Sequence, residues 1–251
     1  MNKFFLLIFL LFFATQAGAA ELRVITSGAM QGVLRSMAAE FGAANGHSIE
    51  VISRGVAGVR EMVEAGEPAD IIMTSDLVMD AFLASEILKE ASLTRIGFIG
   101  IGLAVREGAP QPNISSGEEF RKAMLAAGSI VYQNPDRGIS SAVALKRIFD
   151  ELGISDDIVD KSLILDGGLA ALRVVNGDAE IALQNMTQLV RVEGISIVGP
   201  LPPDIQIQTG YAAGVAASSK HQDIAAELIA YLTRQEAQRL WVESGFEPYA
   251  P

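Results

Sequence analysis

Apolar and polar positions alternate between two periods along most of the chain, and each change of period marks an element. Residues 22–26 (Leu-Arg-Val-Ile-Thr) and 49–53 (Ile-Glu-Val-Ile-Ser) read as strands. Residues 71–73 (Ile-Ile-Met) are wholly apolar, as a strand covered on both faces requires. Between the first two strands, Val33, Leu34, Met37, Ala38 and Phe41 share one helical face, and Gly42 and Gly46 are expected to end that helix. Val59, Met62 and Val63 mark a shorter helix stopped by Gly66, and Val78, Phe82 and Leu83 begin another. This βαβαβα order predicts a mostly parallel sheet with right-handed crossovers.

A β-rich run at residues 95–105 follows, interrupted by Gly97, Gly100 and Gly102. It is too long for a simple edge strand and predicts a strand that leaves one sheet and enters another. Pro110 and Pro112 come next, and Ser116-Gly117-Glu118-Glu119 reads as a capping box opening a new unit. The pattern then predicts a strand at 130–133, a loop at 134–138, and a helix at 139–152. That helix places Val143, Leu145, Ile148, Phe149 and Leu152 at its apolar positions and stops at Gly153. Residues 162–165, 169–175 and 181–183 continue the alternation, and 205–217 form a second long β-rich run. Residues 225–241 read as helix with no strand after them, so they need an earlier sheet to pack on. The expected architecture is α/β, with two α/β lobes joined by two crossing strands. Lobe 1 is assigned residues 20–102 and 208–251, and lobe 2 residues 103–207.

The N-terminus changes the picture. Residues 4–13 are ten unbroken apolar residues, Lys3 is the only charge near them, and Ala17-Gly18-Ala19 fits a small-x-small cleavage site. Residues 1–19 are therefore read as a signal peptide, cut after Ala19 or Ala20 and too short to anchor the chain. The remaining 232 residues contain no other run of spanning length and are expected to be soluble. The chain has no cysteine, which excludes a lipid-modified N-terminus and disulfides, so stability must come from core burial. A Gram-negative periplasm is the expected home.

Net charge is −11, and −12 once Lys3 leaves with the leader, so nucleic acid is repelled over most of the surface. His47 and His221 are the only histidines and lie far apart; with no cysteine they exclude a zinc site and a Ser/His/Asp triad. The glycines at 97, 100 and 102 sit inside a strand run and do not open a helix, so they are no dinucleotide fingerprint. No cofactor is expected.

The candidate chemistry lies in turns at the carboxyl ends of strands, where open α/β sheets hold ligands. Ser27-Gly28-Ala29-Met30, Arg54-Gly55-Val56 and Gly138-Ile139-Ser140-Ser141 each precede a helix. Unpaired N–H groups at the positive end of a helix receive an anion even on an acidic protein. Arg54, ending its strand just before Gly55, adds a guanidinium that forks onto a carboxylate or phosphate. Asn134 and Arg137 lie in the loop before the second-lobe helix, and Asn185 follows a short strand with an amide suited to an oxyanion. Asp76 reads better as a helix cap than as a catalyst, Tyr132 as packing, and His47 as surface.

Glu64-Ala65-Gly66-Glu67-Pro68-Ala69-Asp70, the Ile71 to Asp76 stretch after it, and the terminal Gly245-Phe246-Glu247-Pro248 resemble the periplasmic molybdate-binding proteins of ABC transporters over nearly the whole mature chain. The resemblance implies a type II periplasmic solute-binding fold, a small anion clamped by hinge closure, a monomeric receptor and a membrane ABC permease as partner. Ala29 stands where the family has a serine, no serine follows Gly55, and Asn185 falls at the family's tyrosine. Three side-chain donors to a tetrahedral oxyanion are thus replaced while Arg54 is gained, an exchange that suits a carboxylate. A divergent branch resembling these proteins, aconitate isomerase, implies the rival reading of a cofactor-free isomerase. Arg54, Arg137 and Arg60 would hold the carboxylates there, but no clear base is visible.

Overall fold

The computed structural model describes residues 19–249. The expected leader, apart from Ala19, lies outside the described residues. Its first half is βαβαβα as the pattern predicts: β1 (Glu21–Ser27), α1 (Gln31–Asn45), β2 (Ser48–Arg54), α2 (Val56–Glu64), β3 (Ile71–Ser75) and α3 (Asp76–Ala84), followed by β4 (Thr94–Ile99). The middle runs β5 (Ile101–Arg106), α4 (Gly117–Ala126), β6 (Ile130–Gln133), α5 (Ser140–Glu151), α6 (Ser155–Ile158), β7 (Ser162–Leu165), α7 (Ala171–Val175), β8 (Ile181–Asn185), α8 (Met186–Leu189) and β9 (Ile195–Pro200). β10 (Thr209–Val215), α9 (Gln222–Thr233) and α10 (Gln235–Glu243) complete the chain.

Two five-stranded sheets result, ordered β2-β1-β3-β10-β4 and β7-β6-β8-β5-β9. They are mixed rather than mostly parallel. β1 runs parallel to β2 and β3, and β6 parallel to β7 and β8. β10 is antiparallel to β3 and β4, and β5 to β8 and β9. The reversed strands are those that arrive from the other sheet, so the two crossings impose the change of sense.

The first crossing is the predicted one: β4 and β5 are separated by Gly100 alone, and the chain changes sheet there. The second differs from expectation, because strand begins only at Thr209 and not near Ile205. Pro202 and Pro203 have no N–H to offer a ladder, and the N–H groups of Ile205 and Gln206 both turn back to the Pro202 carbonyl. The Gln206 side chain substitutes for the missing ladder. Its Oε1 accepts from the Ile101 N–H at 3.0 Å and its Nε2 donates to the Ile101 carbonyl at 2.9 Å, tying the crossings together.

Each sheet is covered on both faces. α1, α9 and α10 set Leu34, Met37, Phe41, Leu228 and Trp241 against Leu22, Val24 and Met73, while Val59, Val63 and Phe82 cover Ile25 and Ile72 from the other side. Phe120, Leu145, Ile148 and Phe149 pack on β5, β6 and β8, and Ala171 and Val174 close the opposite face. Full burial of side chains this size contributes about 1.5–3 kcal/mol each, which explains an all-buried β3.

Three helix details depart from the pattern. α1 runs through Gly42 and ends at Gly46, whose φ is +72°. Gly42 is needed for close approach, since a Cβ there would sit 2.7 Å from the His47 carbonyl oxygen. Val143 is 51% exposed because the buried face of α5 is carried by Ala142, Ala144, Leu145, Ile148 and Phe149. The last helix is two, broken at the extended Arg234.

Candidate functional site

The carboxyl ends of β1, β2, β6 and β8 all open on one pocket of about 230 Å³ between the two sheets. Ser27, Gly28 and Ala29 enter from the first turn, and Arg54, Gly55 and Val56 from the second. Ser140 and Asn185 face them from the second sheet. Eight of the twelve sequence candidates are thereby brought together.

The backbone donors are fewer in the first turn than expected. Gly28 N–H donates to the Arg54 carbonyl at 2.8 Å and Met30 N–H to the Ser27 carbonyl at 3.0 Å, leaving the Ala29 N–H without a partner among the described residues. The helix starts are more open. The first intrahelical bonds reach back from Val59 to Gly55 and from Val143 to Ile139, so the N–H groups of Val56 and Ala57, and of Ser140 and Ser141, have no partner among the described residues. Two positive helix ends therefore meet at one small volume.

Among the described residues, Arg54 is the only charged one lining this pocket. Its side chain is exposed, its Nη1 donates to the Ser53 carbonyl at 2.8 Å, and among the described residues it forms no ion pair. The walls hold unusual polar atoms: Ser27 Oγ, Gln133 Oε1 and Gln188 Oε1 are buried without a hydrogen-bond partner among the described residues. Tyr211, fully buried, places its hydroxyl 3.0 Å from Ser140 Oγ. Burial pushes this phenol up to about 12, and the Ser140 contact opposes the shift only in part. No carboxylate, histidine or lysine lines the pocket.

The two helix starts approach each other closely. A Cβ on Gly55 would lie 3.5 Å from the Arg137 carbonyl oxygen, and Gly138, at φ +65°, lies directly against Ala57.

The other four of the twelve lie elsewhere, as does Arg60. Met30 is fully buried among core residues, its side chain continuing the apolar face of α1. Asn134 and Arg137 both turn to Asp166, Asn134 Nδ2 at 3.0 Å and Arg137 Nη2 at 3.4 Å, because that carboxylate stands beside their loop. Ser141 is buried in the first turn of α5 and away from the pocket wall. Arg60 pairs with Glu64 at 2.7 Å on the exposed face of α2.

Of the other residues weighed, Asp76 begins α3 and is held by Arg95 at 2.9 Å and by the Tyr249 hydroxyl. Tyr132 packs edge-on to Phe149. The His47 ring is half-buried and accepts from the Ala20 N–H at 3.3 Å.

Sequence reasoning missed Ser53, Gln133, Gln188 and Tyr211. Gln133 ends its strand with a polar side chain just before a turn, as Arg54 does, and the same rule applied to it finds it. A larger cavity of about 680 Å³ lies by Arg106, Pro110, Ala127 and Glu180. It sits at the amino ends of β6 and β8, away from where such sheets hold ligands.

Two mixed sheets, helices on both faces and a pocket between the sheets make a type II periplasmic binding fold. The model of the bacterial extracellular solute-binding protein family matches residues 22–247, and the chain belongs to that family. It is similar to the periplasmic molybdate-binding protein of Azotobacter vinelandii, with a TM-score of 0.73 at 16% identity, covering 92% of this chain and 99% of that one. The sulfate-binding protein SubI of Mycobacterium tuberculosis gives a TM-score of 0.72 at 17% identity, covering 92% and 88%. An aconitate isomerase of a Pseudomonas species is 28% identical over 233 residues, 90% of this chain and 87% of that protein.

Proposed function

We propose that the mature chain is a periplasmic, monomeric receptor that captures a small anion between its lobes and delivers it to a membrane ABC permease. Lobe 1, residues 20–102 with 208–251, closes on lobe 2, residues 103–207, over the guest. The observation that carries this reading is the convergence of two open helix starts and one unpaired guanidinium on a pocket with no negative charge. The ligand contacts are assigned to Ser27, Ala29, Arg54, Gly55, Val56, Ser140 and Asn185, joined by Gln133 and Tyr211. A small carboxylate fits this donor set better than molybdate does, because Arg54 offers a planar fork. A calorimetric screen of molybdate, sulfate and simple di- and tricarboxylates tests the proposal. Micromolar binding of one of them supports it, and no heat and no thermal shift with any of them refutes it.

The aconitate isomerase relative favours a second reading, in which the pocket interconverts cis- and trans-aconitate. The lining residues hold no carboxylate or imidazole base, so the proton would have to move through the hydroxyls of Ser27, Ser140 or Tyr211. Incubation of purified protein with trans-aconitate, followed by ultraviolet absorbance and chromatography, decides: cofactor-free turnover replaces the receptor reading.

A further inference from the structure

The last residue of β6 sets a condition on the ligand that charge alone does not. Gln133 is 4% exposed and lines the pocket. Its Nε2 donates to the Gly168 carbonyl at 2.9 Å. The same carbonyl receives Gln184 Nε2 at 2.9 Å, and Gln184 Oε1 accepts from the Ala170 N–H at 2.9 Å. These bonds fix which way both amides face. Turning Gln133 over would set its oxygen against the Gly168 carbonyl oxygen and forfeit a hydrogen bond.

Gln133 Oε1 is consequently a fixed acceptor, buried beside the pocket with no donor among the described residues. A buried acceptor left unpaired carries its full desolvation cost. A fully deprotonated oxyanion cannot relieve that cost. It presents lone pairs in every direction, and against Gln133 Oε1 it adds repulsion. The helix starts and Arg54, by contrast, ask for an acceptor. The pocket thus has two chemical sides, one all donors and one with a buried acceptor.

We propose that the ligand is a small hydroxycarboxylate, its carboxylate on the open N–H groups and Arg54 and its hydroxyl donating to Gln133 Oε1. This rests on the reading of the pocket as an anion site. Asn185, 3% exposed and without a side-chain hydrogen bond among the described residues, lines the same wall. Its amide can donate to the hydroxyl oxygen while that hydroxyl donates to Gln133.

The test is calorimetric titration of the mature chain at neutral pH with matched pairs that differ by one hydroxyl: malate against succinate, lactate against propionate, citrate against tricarballylate. Molybdate and sulfate are titrated alongside. In at least one pair the hydroxylated member is expected to bind roughly tenfold tighter or more, since a site built to hydrogen-bond a hydroxyl rejects the analogue lacking it. Gln133→Leu is expected to bring that ratio close to one by weakening the hydroxylated partner selectively. Where that variant does not fold, the wild-type ratios carry the test. Equal affinities within every pair, tightest binding of molybdate or sulfate, or a ratio unchanged in Gln133→Leu would overturn the assignment while leaving an anion receptor in place. Binding of none of the compounds would remove the anion site itself.

Discussion

The hydroxyl of Tyr211 meets that of Ser140 at 3.0 Å, joining β10 of the first sheet to the first turn of α5 on the second. The ring behind that hydroxyl is held edge-on by Phe246, centroids 6.1 Å apart, and Phe246 in turn by Trp241 at 4.8 Å. The terminal Gly-Phe-Glu-Pro segment thus braces a pocket residue from behind. Its Glu247 backbone also pairs with Phe98 on β4.

Tyr211→Phe removes one cross-cleft hydrogen bond and keeps the ring packing. Folding stability is expected to fall by about 0.5–1.5 kcal/mol, the worth of a neutral hydrogen bond, and ligand affinity to fall with it. Calorimetry and thermal unfolding of the variant check both halves.

The same phenol makes stability fall in alkali. Its ordinary value is 10.0 and burial raises it to about 12 in the fold, so the unfolded chain loses this proton first. The contribution is complete below pH 10 and is lost as pH rises to 12, a change of about 2–3 kcal/mol. Urea midpoints measured across that range should drop more steeply for the wild type than for Tyr211→Phe. Parallel curves would show that the buried phenol is not the group responsible.

Arg54→Ala deletes the pocket's only cation from an exposed position. Affinity for an anion is expected to fall roughly ten- to hundredfold, as for a charge-assisted hydrogen bond of about 1.5–3 kcal/mol. Stability should stay within about 0.5 kcal/mol. Arg54→Lys restores charge without the fork and should recover only part of the loss. An unchanged dissociation constant in Arg54→Ala removes Arg54 from the site.

Gly138 has φ +65°, and a Cβ there would lie 2.5 Å from that of Ala57. The left-handed conformation costs a non-glycine residue about 1–2 kcal/mol, and the clash with α2 adds to it. Under the proposed closure of the lobes, Gly138→Val should weaken ligand binding and reduce the contraction on binding that small-angle scattering would read. Adding Ala57→Gly should restore part of it by relieving the clash but not the backbone cost.

Gln206→Ala deletes both bonds to Ile101 at the crossing. A stability loss of about 1–3 kcal/mol is expected, with faster amide exchange at Ile101. Unaltered exchange there would mean that the crossing is held by other contacts.

Much of the fold was legible because period and burial coincide: an all-apolar Ile71-Ile72-Met73 has only one sensible place in an α/β sheet. The glycine-rich turns were legible for the same reason, since a strand running into Gly and then into a helix marks a strand mouth. What escaped was decided at long range. Tyr211 reaches the pocket because β10 inserts between β3 and β4, which no local pattern reports. Gln188 lies on a four-residue helix too short for a periodic signal. Met30 belongs to the core rather than to the turn it follows, and its spacing to Leu34 and Met37 puts it on the core face. Asn134 and Arg137 were drawn off by Asp166, a partner distant in sequence.

The chain enters the second sheet through β5 at Ile101 and leaves it through β9 at Pro200, and those strands are hydrogen-bonded neighbours. The stretch between Gly100 and Thr209 is therefore a cassette with entrance and exit side by side, set into a frame that owns both described chain ends. A probe or tether attached at either of those ends sits on the frame, and at the C-terminal side it lies close to the cassette as well, because Gly245 packs against the backbone of Met186 and Thr187.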